Sequence, residues 1–209
     1  MKKILNIAGV VIVILITSVT AKAQQGDVKF NLNYDYSMPI GNFKNNVISN
    51  ASPRGGNGEI MYSFTNTLLG GISFGYQDYY QKYPRTLYNT GSNEVTSAVL
   101  SNSIQTIPVV ARLSFSPLGN KGAPVQPYIS GGVGVDLVSV KQYLGEFGSA
   151  DNSASFTAQA GAGVFVPFGK LSSAGLRLGA NYNYVPYNRN GFGNFNSVDL
   201  QAGVYFPIR

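Results

Sequence analysis

The chain has 209 residues, a length that fits one domain, and it contains no cysteine and no histidine. A Ser-His-Asp triad, a Cys-His pair and a His-ligated metal site are therefore excluded, and no cofactor is predicted. The formal net charge is +6, but the basic residues are scattered singly, which argues against nucleic-acid binding.

The N-terminus has the three parts of a secretory signal peptide. Met1-Lys2-Lys3 is basic, Ile4 to Val19 is almost wholly apolar, and Ala21-Lys22-Ala23 has the small-x-small pattern that a signal peptidase cuts. The apolar run of about sixteen residues is shorter than the roughly twenty that a spanning helix needs. We therefore predict a cleaved signal peptide over 1–23 and a mature domain over 24–209; an uncleaved anchor is the alternative. Without the signal peptide the formal charge would be +3, because Lys2, Lys3 and Lys22 lie in it.

Apolar and polar residues alternate over eight stretches of the mature chain, and no stretch predicts a helix. Such alternation gives a strand one apolar face and one polar face. Glycine (25 residues) and tyrosine (14) are abundant, which suits a β-protein with small residues inside and tyrosines at an interface. The predicted strands are Val28–Tyr36, Gly58–Phe64, Leu68–Tyr80, Ser103–Phe115, Gln126–Val138, Ser155–Val166, Gly175–Val185 and Ser197–Ile208.

The connections between these strands alternate between long and short. Long polar loops are predicted after strands one, three, five and seven, at Ser37–Asn57, Gln81–Asn102, Ser139–Ser153 and Pro186–Asn194. Short turns on one side, long loops on the other and an even number of strands are typical of bacterial outer-membrane barrels. The predicted fold is therefore all-β, an eight-stranded antiparallel up-and-down transmembrane β-barrel with both termini in the periplasm.

Several short motifs resemble the OmpA/OmpX-like outer-membrane β-barrel family, in particular its Bacteroidetes-type members. The motifs are Tyr36-Ser37-x-Pro39-x-Gly41-x-Phe43, Ile107-Pro108-Val109, Pro127-Tyr128-Ile129-Ser130-Gly131-Gly132-Val133-Gly134-Val135 and Gly161-Ala162-Gly163-Val164. The last strand contains Gln201-x-Gly203-x-x-Phe206-x-Ile208, which resembles the C-terminal β-signal that the barrel-assembly machinery recognises. It departs from that signal in ending on Ile208 rather than on an aromatic residue. The resemblance implies a barrel in the outer membrane of a Gram-negative bacterium, and the lack of histidine and cysteine leads us to expect that it is non-catalytic.

Seven charged residues fall on the polar faces of the predicted strands. The interior of an eight-stranded barrel is just wide enough to be filled by side chains, and charges held there must pair because an unpaired one is costly. We predict a structural network of ion pairs and hydrogen bonds that plugs the lumen; a narrow conduction path lined by the same charges is the alternative. The residues are Lys29, Asp35, Glu59, Arg112, Asp136, Arg177 and Asp199.

Aromatic residues near the strand ends predict two interface girdles of the kind that flank the apolar band of a membrane barrel. Tyrosines are expected near the long loops, at Tyr34, Tyr36, Tyr79, Tyr80, Tyr182 and Tyr184. Phenylalanines are expected near the short turns, at Phe64, Phe115, Phe168 and Phe206.

The predicted function is structural or surface-interacting, with Ser37–Asn57 and Gln81–Asn102 as the exposed contact surface, since loops on a rigid scaffold often carry function. Expected partners are outer-membrane lipid, including lipopolysaccharide, and the barrel-assembly machinery; no extracellular partner is identified. Loop cations that could meet lipopolysaccharide phosphates are Arg54, Lys82, Arg85 and Arg189. A small channel and a soluble lipocalin-like calyx are the alternatives, and the outward aliphatic faces weigh against the calyx.

Overall fold

The computed structural model describes residues 26–91, 94–119, 123–145, 147–169, 174–189 and 193–208. Within these ranges the chain forms ten strands and one short helix. The strands are β1 (Val28–Pro39), β2 (Ser52–Ser63), β3 (Leu68–Lys82), β4 (Thr86–Gly91), β5 (Glu94–Ala98), β6 (Leu100–Phe115), β7 (Gln126–Leu144), β8 (Phe147–Pro167), β9 (Gly175–Tyr184) and β10 (Ser197–Ile208), and the helix is α1 (Asn42–Asn46). The predicted signal peptide, with its cleavage residues Ala21 and Ala23, lies outside the described residues.

Eight of the strands close into a barrel. Their order around it is β1, β10, β9, β8, β7, β6, β3 and β2, and every neighbouring pair is antiparallel. The seam between the first and last strands is paired throughout, from Val28 opposite Ile208 to Pro39 opposite Ser197. Strands β4 and β5 form a separate two-stranded sheet in the connection between β3 and β6. The predicted eight-stranded antiparallel barrel is therefore confirmed.

Side chains alternate between the outside and the inside of the barrel as the period of two requires. On β6, for example, Leu113 is 56% exposed on the outer face, whereas the adjacent Arg112 and Ser114 are buried. Outward-facing aliphatic and aromatic side chains match a hydrocarbon environment. A lipocalin-like calyx would turn its apolar face inward, so the arrangement contradicts that alternative. In the part of the chain that the structure describes, no helix is long and apolar enough to cross a membrane.

The barrel has a turn end and a loop end. The turn end carries the connections β2–β3, β6–β7 and β8–β9, and the loop end carries the others. At the loop end two predicted loops are largely strand: β7 and β8 continue together to Leu144 and Phe147, and β4 and β5 occupy much of Gln81–Asn102. The β4–β5 hairpin is a sheet separate from the barrel, whereas β7 stays paired with β6 as far as Leu144 opposite Leu100, so that β6, β7 and β8 lengthen the barrel wall on this side. Polar residues such as Lys141 and Asn152 led to the prediction of loops here.

The first predicted loop, Ser37–Asn57, is exposed at most of its polar residues, such as Asn42, Lys44 and Ser49, but part of it is buried. Its ends belong to β1 and β2, and between them lies the five-residue helix α1. Phe43, Val47 and Ile48 are at most 2% exposed and join a hydrophobic cluster that fills the loop end of the barrel, here called the mouth cluster. This cluster consists of Phe43, Val47, Ile48, Tyr79, Ile104, Val138, Val140, Val185, Tyr187 and Phe195. The loop folds back because these residues remove apolar surface from water.

Nine of the ten predicted girdle residues are exposed, and Tyr79 is the exception. The tyrosine is only 3% exposed, and its hydroxyl lies 2.5 Å from that of Ser37 inside the barrel. Its position explains the error, because the outward side chains of β3 include Phe74, Tyr76 and Tyr80, and an odd-numbered neighbour must point inward.

Candidate functional site: the lumen

At mid-barrel, one carboxylate is shared by two guanidinium groups. Glu59 on β2 accepts from Arg112 Nη1 on β6 at 2.8 Å and from Arg177 Nη1 on β9 at 2.5 Å. Asn31 Nδ2 on β1 also donates to Glu59, at 2.9 Å. All three charged side chains are at most 3% exposed. This ion triad joins three separate parts of the wall and fills the cross-section between them.

Aromatic rings hold the Arg177 side chain in place. Its Cζ lies 5.0 Å from the centroid of the Tyr128 ring and 5.8 Å from that of Phe165, and its Nε donates to the Tyr128 hydroxyl at 2.9 Å. Gly179 makes room for that hydroxyl, because a Cβ at this position would lie 2.5 Å from it. The arrangement supplies Arg177 with a cation–π contact as well as hydrogen bonds in a dry environment.

Three further carboxylates lie between the triad and the mouth cluster. Asp35 accepts from the amide of Asn57 at 2.7 and 2.9 Å and from that of Gln201 at 3.1 Å. Asp199 accepts from Ser37, from Ser197 at 3.1 Å and from Asn183 at 2.5 Å.

Asp136 is the third of these carboxylates, and it is 3% exposed with its Oδ1 unpartnered. Glu59 forms two salt bridges, whereas none of the three aspartates forms one among the described residues.

Lys29 stands apart from the other six predicted lumen charges. It lies on the turn side of the triad, with its Nζ 5.8 Å from the centroid of the Tyr205 ring. There it lines a cavity of about 520 Å³, here called the vestibule, together with Asp27, Asn31, Ser114 and Gln126. The structure thus brings Glu59, Arg112 and Arg177 into contact and separates Lys29 from them.

The space on the loop side of the triad is much smaller. This chamber has a volume of about 40 Å³ and is lined by the three aspartates, by Arg112 and by side chains of the mouth cluster such as Phe43 and Phe195. The vestibule and the chamber have no lining residue in common. The lumen is therefore filled at two levels, by ions at the middle and by apolar side chains at the loop end.

The four residues of the predicted β-signal have different environments on β10. Gln201 points inward and binds Asp35, and Gly203 also points inward, where a Cβ would collide with the Leu32 carbonyl oxygen on β1. Phe206 and Ile208 point outward, and the Phe206 ring centroid lies 5.3 Å from that of Phe30. Both inward positions therefore contribute to the seam that closes the barrel.

Several residues of the lumen were not singled out from the sequence. Asn31 was visible only as an inward position in a predicted strand, and Tyr128 only as part of a family motif, with no role in the network predicted for either. Asn57 was assigned to a loop because the predicted strand begins at Gly58. The observed strand, β2, begins at Ser52 and includes Asn57. Phe43 was part of a motif that resembles the family, but its burial in the mouth cluster was not predicted.

The fold and the filled lumen define an eight-stranded outer-membrane barrel, and a family comparison gives the same result. The family model described as outer membrane protein beta-barrel domain matches residues 9–206, so the chain belongs to this family. A search of curated proteins gives no match.

The chain is also similar to solved structures of outer-membrane proteins. Neisserial surface protein A shares 17% identity over 88% of this chain and 98% of that chain, with a TM-score of 0.51. A major outer membrane protein from Thermus thermophilus shares 12% identity over 87% and 99%, with a TM-score of 0.54. The outer membrane enzyme PagL is also similar, at 16% identity over 85% and 99% and a TM-score of 0.37. At these identities the likeness concerns the fold alone.

Proposed function

We propose that this barrel is a non-catalytic structural and surface-interaction protein of the outer membrane. In this proposal the loop end faces the outside of the cell and the termini face the periplasm. The observation that carries the proposal is the contrast between a lumen filled at two levels and two loop-end hairpins that expose large apolar side chains. The first feature argues against passage of solutes, and the second offers a surface for contact.

The filled lumen supports a structural role over a channel. The triad side chains are at most 3% exposed, and Phe43, Val47 and Ile48 of the mouth cluster are at most 2% exposed. A conducting path would require the displacement of both groups. Separating a buried ion pair leaves uncompensated charge in a poorly solvated environment, which costs several kcal/mol.

The two hairpins at the loop end support a surface role. Leu87 on β4 is 70% exposed and Phe147 at the start of β8 is 76% exposed, so large apolar groups remain free for contact. Lys82 and Arg85 are exposed near the β4–β5 hairpin and can meet lipopolysaccharide phosphates in this proposal. The proposed partners are therefore outer-membrane lipid and an extracellular macromolecule, with the barrel-assembly machinery acting during biogenesis.

The orientation can be tested by cysteine labelling, because the chain contains no cysteine of its own. Phe147→Cys places a thiol on the β7–β8 hairpin, and Asn66→Cys places a matched, exposed thiol in the β2–β3 turn. A membrane-impermeant maleimide is expected to label Phe147→Cys, but not Asn66→Cys, on intact cells. Both should react after lysis. Labelling of the turn residue alone on intact cells would reverse the proposed orientation.

Conductance in a planar lipid bilayer separates the structural role from the channel alternative. The wild-type barrel is expected to give no stable unitary conductance, because neither level of the lumen is open. The control variant truncates one side chain at each level, Glu59→Ala with Phe43→Ala. A stable conductance from the wild-type protein, of similar size to that of the control, would overturn the structural assignment in favour of a channel.

A further inference from the structure

We propose that the chamber between the triad and the mouth cluster is a binding site for one partly dehydrated monovalent cation, of the sodium or potassium class. The ligands assigned to it are Asp136 on β7, Thr157 on β8 and the amide oxygen of Asn183 on β9. This inference concerns the interior of the barrel and goes beyond the surface role proposed above.

The first reason is charge. Four carboxylates, those of Glu59 and of the three aspartates, face two guanidinium groups in this part of the lumen. Both guanidinium groups bind Glu59, and Arg112 also donates to Gln159. Buried charges without an opposite partner are strongly disfavoured. A bound cation would reduce the excess negative charge that the folded barrel encloses.

The second reason is a set of buried oxygen atoms that lack hydrogen-bond partners. Asp136 Oδ1, Thr157 Oγ1 and Asn183 Oδ1 are all unpartnered, and their residues are at most 8% exposed. The identity of the Asn183 oxygen is fixed, because its Nδ2 donates to Ser197 and to Asp199. Buried polar atoms are normally satisfied, so three buried oxygens without protein partners in one small chamber are available to bind a common ligand.

The strand register places these oxygens side by side. Asp136 is opposite Ser155 on β8, and Thr157 is two residues further along the same face. Asn183 is opposite Gln159, which is again two residues from Thr157. Diagonal neighbours of this kind have Cα atoms about 7–8 Å apart, and their inward side chains converge. All three residues line the chamber.

The chemistry of the oxygens favours a monovalent cation. Carboxylate, hydroxyl and amide oxygens are hard ligands, which suit alkali and alkaline-earth ions. Only one of the three atoms carries a charge, and among the described residues no group of three or more acidic side chains is placed to hold a metal ion. Calcium sites take six to eight oxygen ligands and magnesium sites a near-ideal octahedron. A volume of about 40 Å³ fits a small ion with one or two waters better.

The test uses the detergent-solubilised barrel and the unheated gel-mobility shift as a measure of the folded form. The unfolding temperature is determined in lithium, sodium, potassium and choline chloride at equal ionic strength. One alkali cation is expected to give the highest value and choline the lowest. The same unfolding temperature in all four salts would overturn the proposal.

Variants of the ligands locate the effect. Asp136→Asn and the isosteric Thr157→Val should each weaken the apparent cation affinity at least about tenfold, the lower limit for loss of a group that supports a metal site. Ser114→Ala is the matched control, because it removes a buried inward hydroxyl that lines the vestibule instead. Cation dependence that persists unchanged in Thr157→Val and Asp136→Asn would overturn the assignment. If Asp136→Asn does not fold, the apparent cation affinity of Thr157→Val alone tests the assignment.

Diffraction provides a direct measurement on the wild-type protein. Crystals grown with Tl⁺ in place of the alkali cation should give an anomalous peak in the chamber beside Asp136. Ordered water alone in the chamber, together with cation-independent unfolding, would exclude the site.

Discussion

Glu59 is the residue on which the interior of the barrel depends most. Its two oxygens bind Arg112 and Arg177, so one substitution leaves two guanidinium groups buried without their counter-charge. We expect Glu59→Gln to lower the free energy of unfolding by about 3–5 kcal/mol, the usual cost of removing one partner of a buried pair. Urea titration of the barrel in lipid vesicles measures this difference.

The salt bridge between Arg54 and Asp78 provides the matched control for Glu59. Its N–O distance is 3.4 Å, and the Arg54 side chain is 65% exposed. Exposed pairs contribute little, so Arg54→Gln should change the free energy of unfolding by at most about 1 kcal/mol. If Glu59→Gln had as small an effect as Arg54→Gln, the triad would not stabilise the fold.

The inward position of Glu59 was predictable from the alternation on β2, but its partners were not. Arg112 and Arg177 are 53 and 118 residues away along the chain. Which charges meet across a closed barrel depends on the stagger of all the strands between them, and no local pattern encodes that stagger. For the same reason the sequence grouped Lys29 with the network, although it lies in the vestibule.

The mouth cluster anchors the polar segment that contains α1 across the loop end of the barrel. The Phe43 ring centroid of α1 lies 4.9 Å from that of Tyr79 and 4.9 Å from that of Phe195. We expect Phe43→Ala to lower the free energy of unfolding by about 3 kcal/mol, the lower end for removal of a buried ring, because water at the barrel mouth can fill the space. Trypsin cleavage after the exposed Lys44 should become faster, since α1 loses its main anchor.

Phe147→Ala is the control for this experiment. It removes the same side chain from a position that is 76% exposed, so neither stability nor tryptic cleavage after Lys44 should change. Equal cleavage rates in Phe43→Ala and in wild type would mean that α1 is held by its backbone rather than by the ring.

The eight barrel strands were predictable as elements because each has a lipid-facing side and a lumenal side. β10 was predicted with its observed bounds, and every residue of it lies opposite β1 in the seam. The extensions of β7 and β8 were missed because polar residues such as Lys141 and Asn152 obscure their alternation. Val140 is nevertheless buried in the mouth cluster, a contact with distant parts of the chain that no local pattern reveals.

At the scale of the whole molecule, closure of the seam between β1 and β10 removes the free edges of the sheet. Twelve residues of each strand are paired, so each of the two strands has a partner along its whole described length in the membrane. Folded barrels of this kind stay compact in unheated detergent samples and migrate differently after boiling. We expect this heat-dependent shift for the wild-type protein, in an outer-membrane fraction. Recovery of the protein as a soluble species would contradict it.

Gly203 tests whether the closure depends on the close approach of the two strands. A Cβ at this inward position would collide with the Leu32 carbonyl oxygen and approach the Asn33 side chain, and both belong to the partner strand. Gly203→Val should therefore reduce the fraction of compact, fast-migrating barrel in unheated samples several-fold, because the seam can close only with a local shift of β1. The adjacent Ala202→Val adds the same kind of bulk on the exposed, lipid-facing side of β10 and should leave that fraction unchanged. If both variants lose the compact form equally, the added bulk on β10 is the cause and not the contact with β1. If only Gly203→Val loses it, the contact across the seam is the cause.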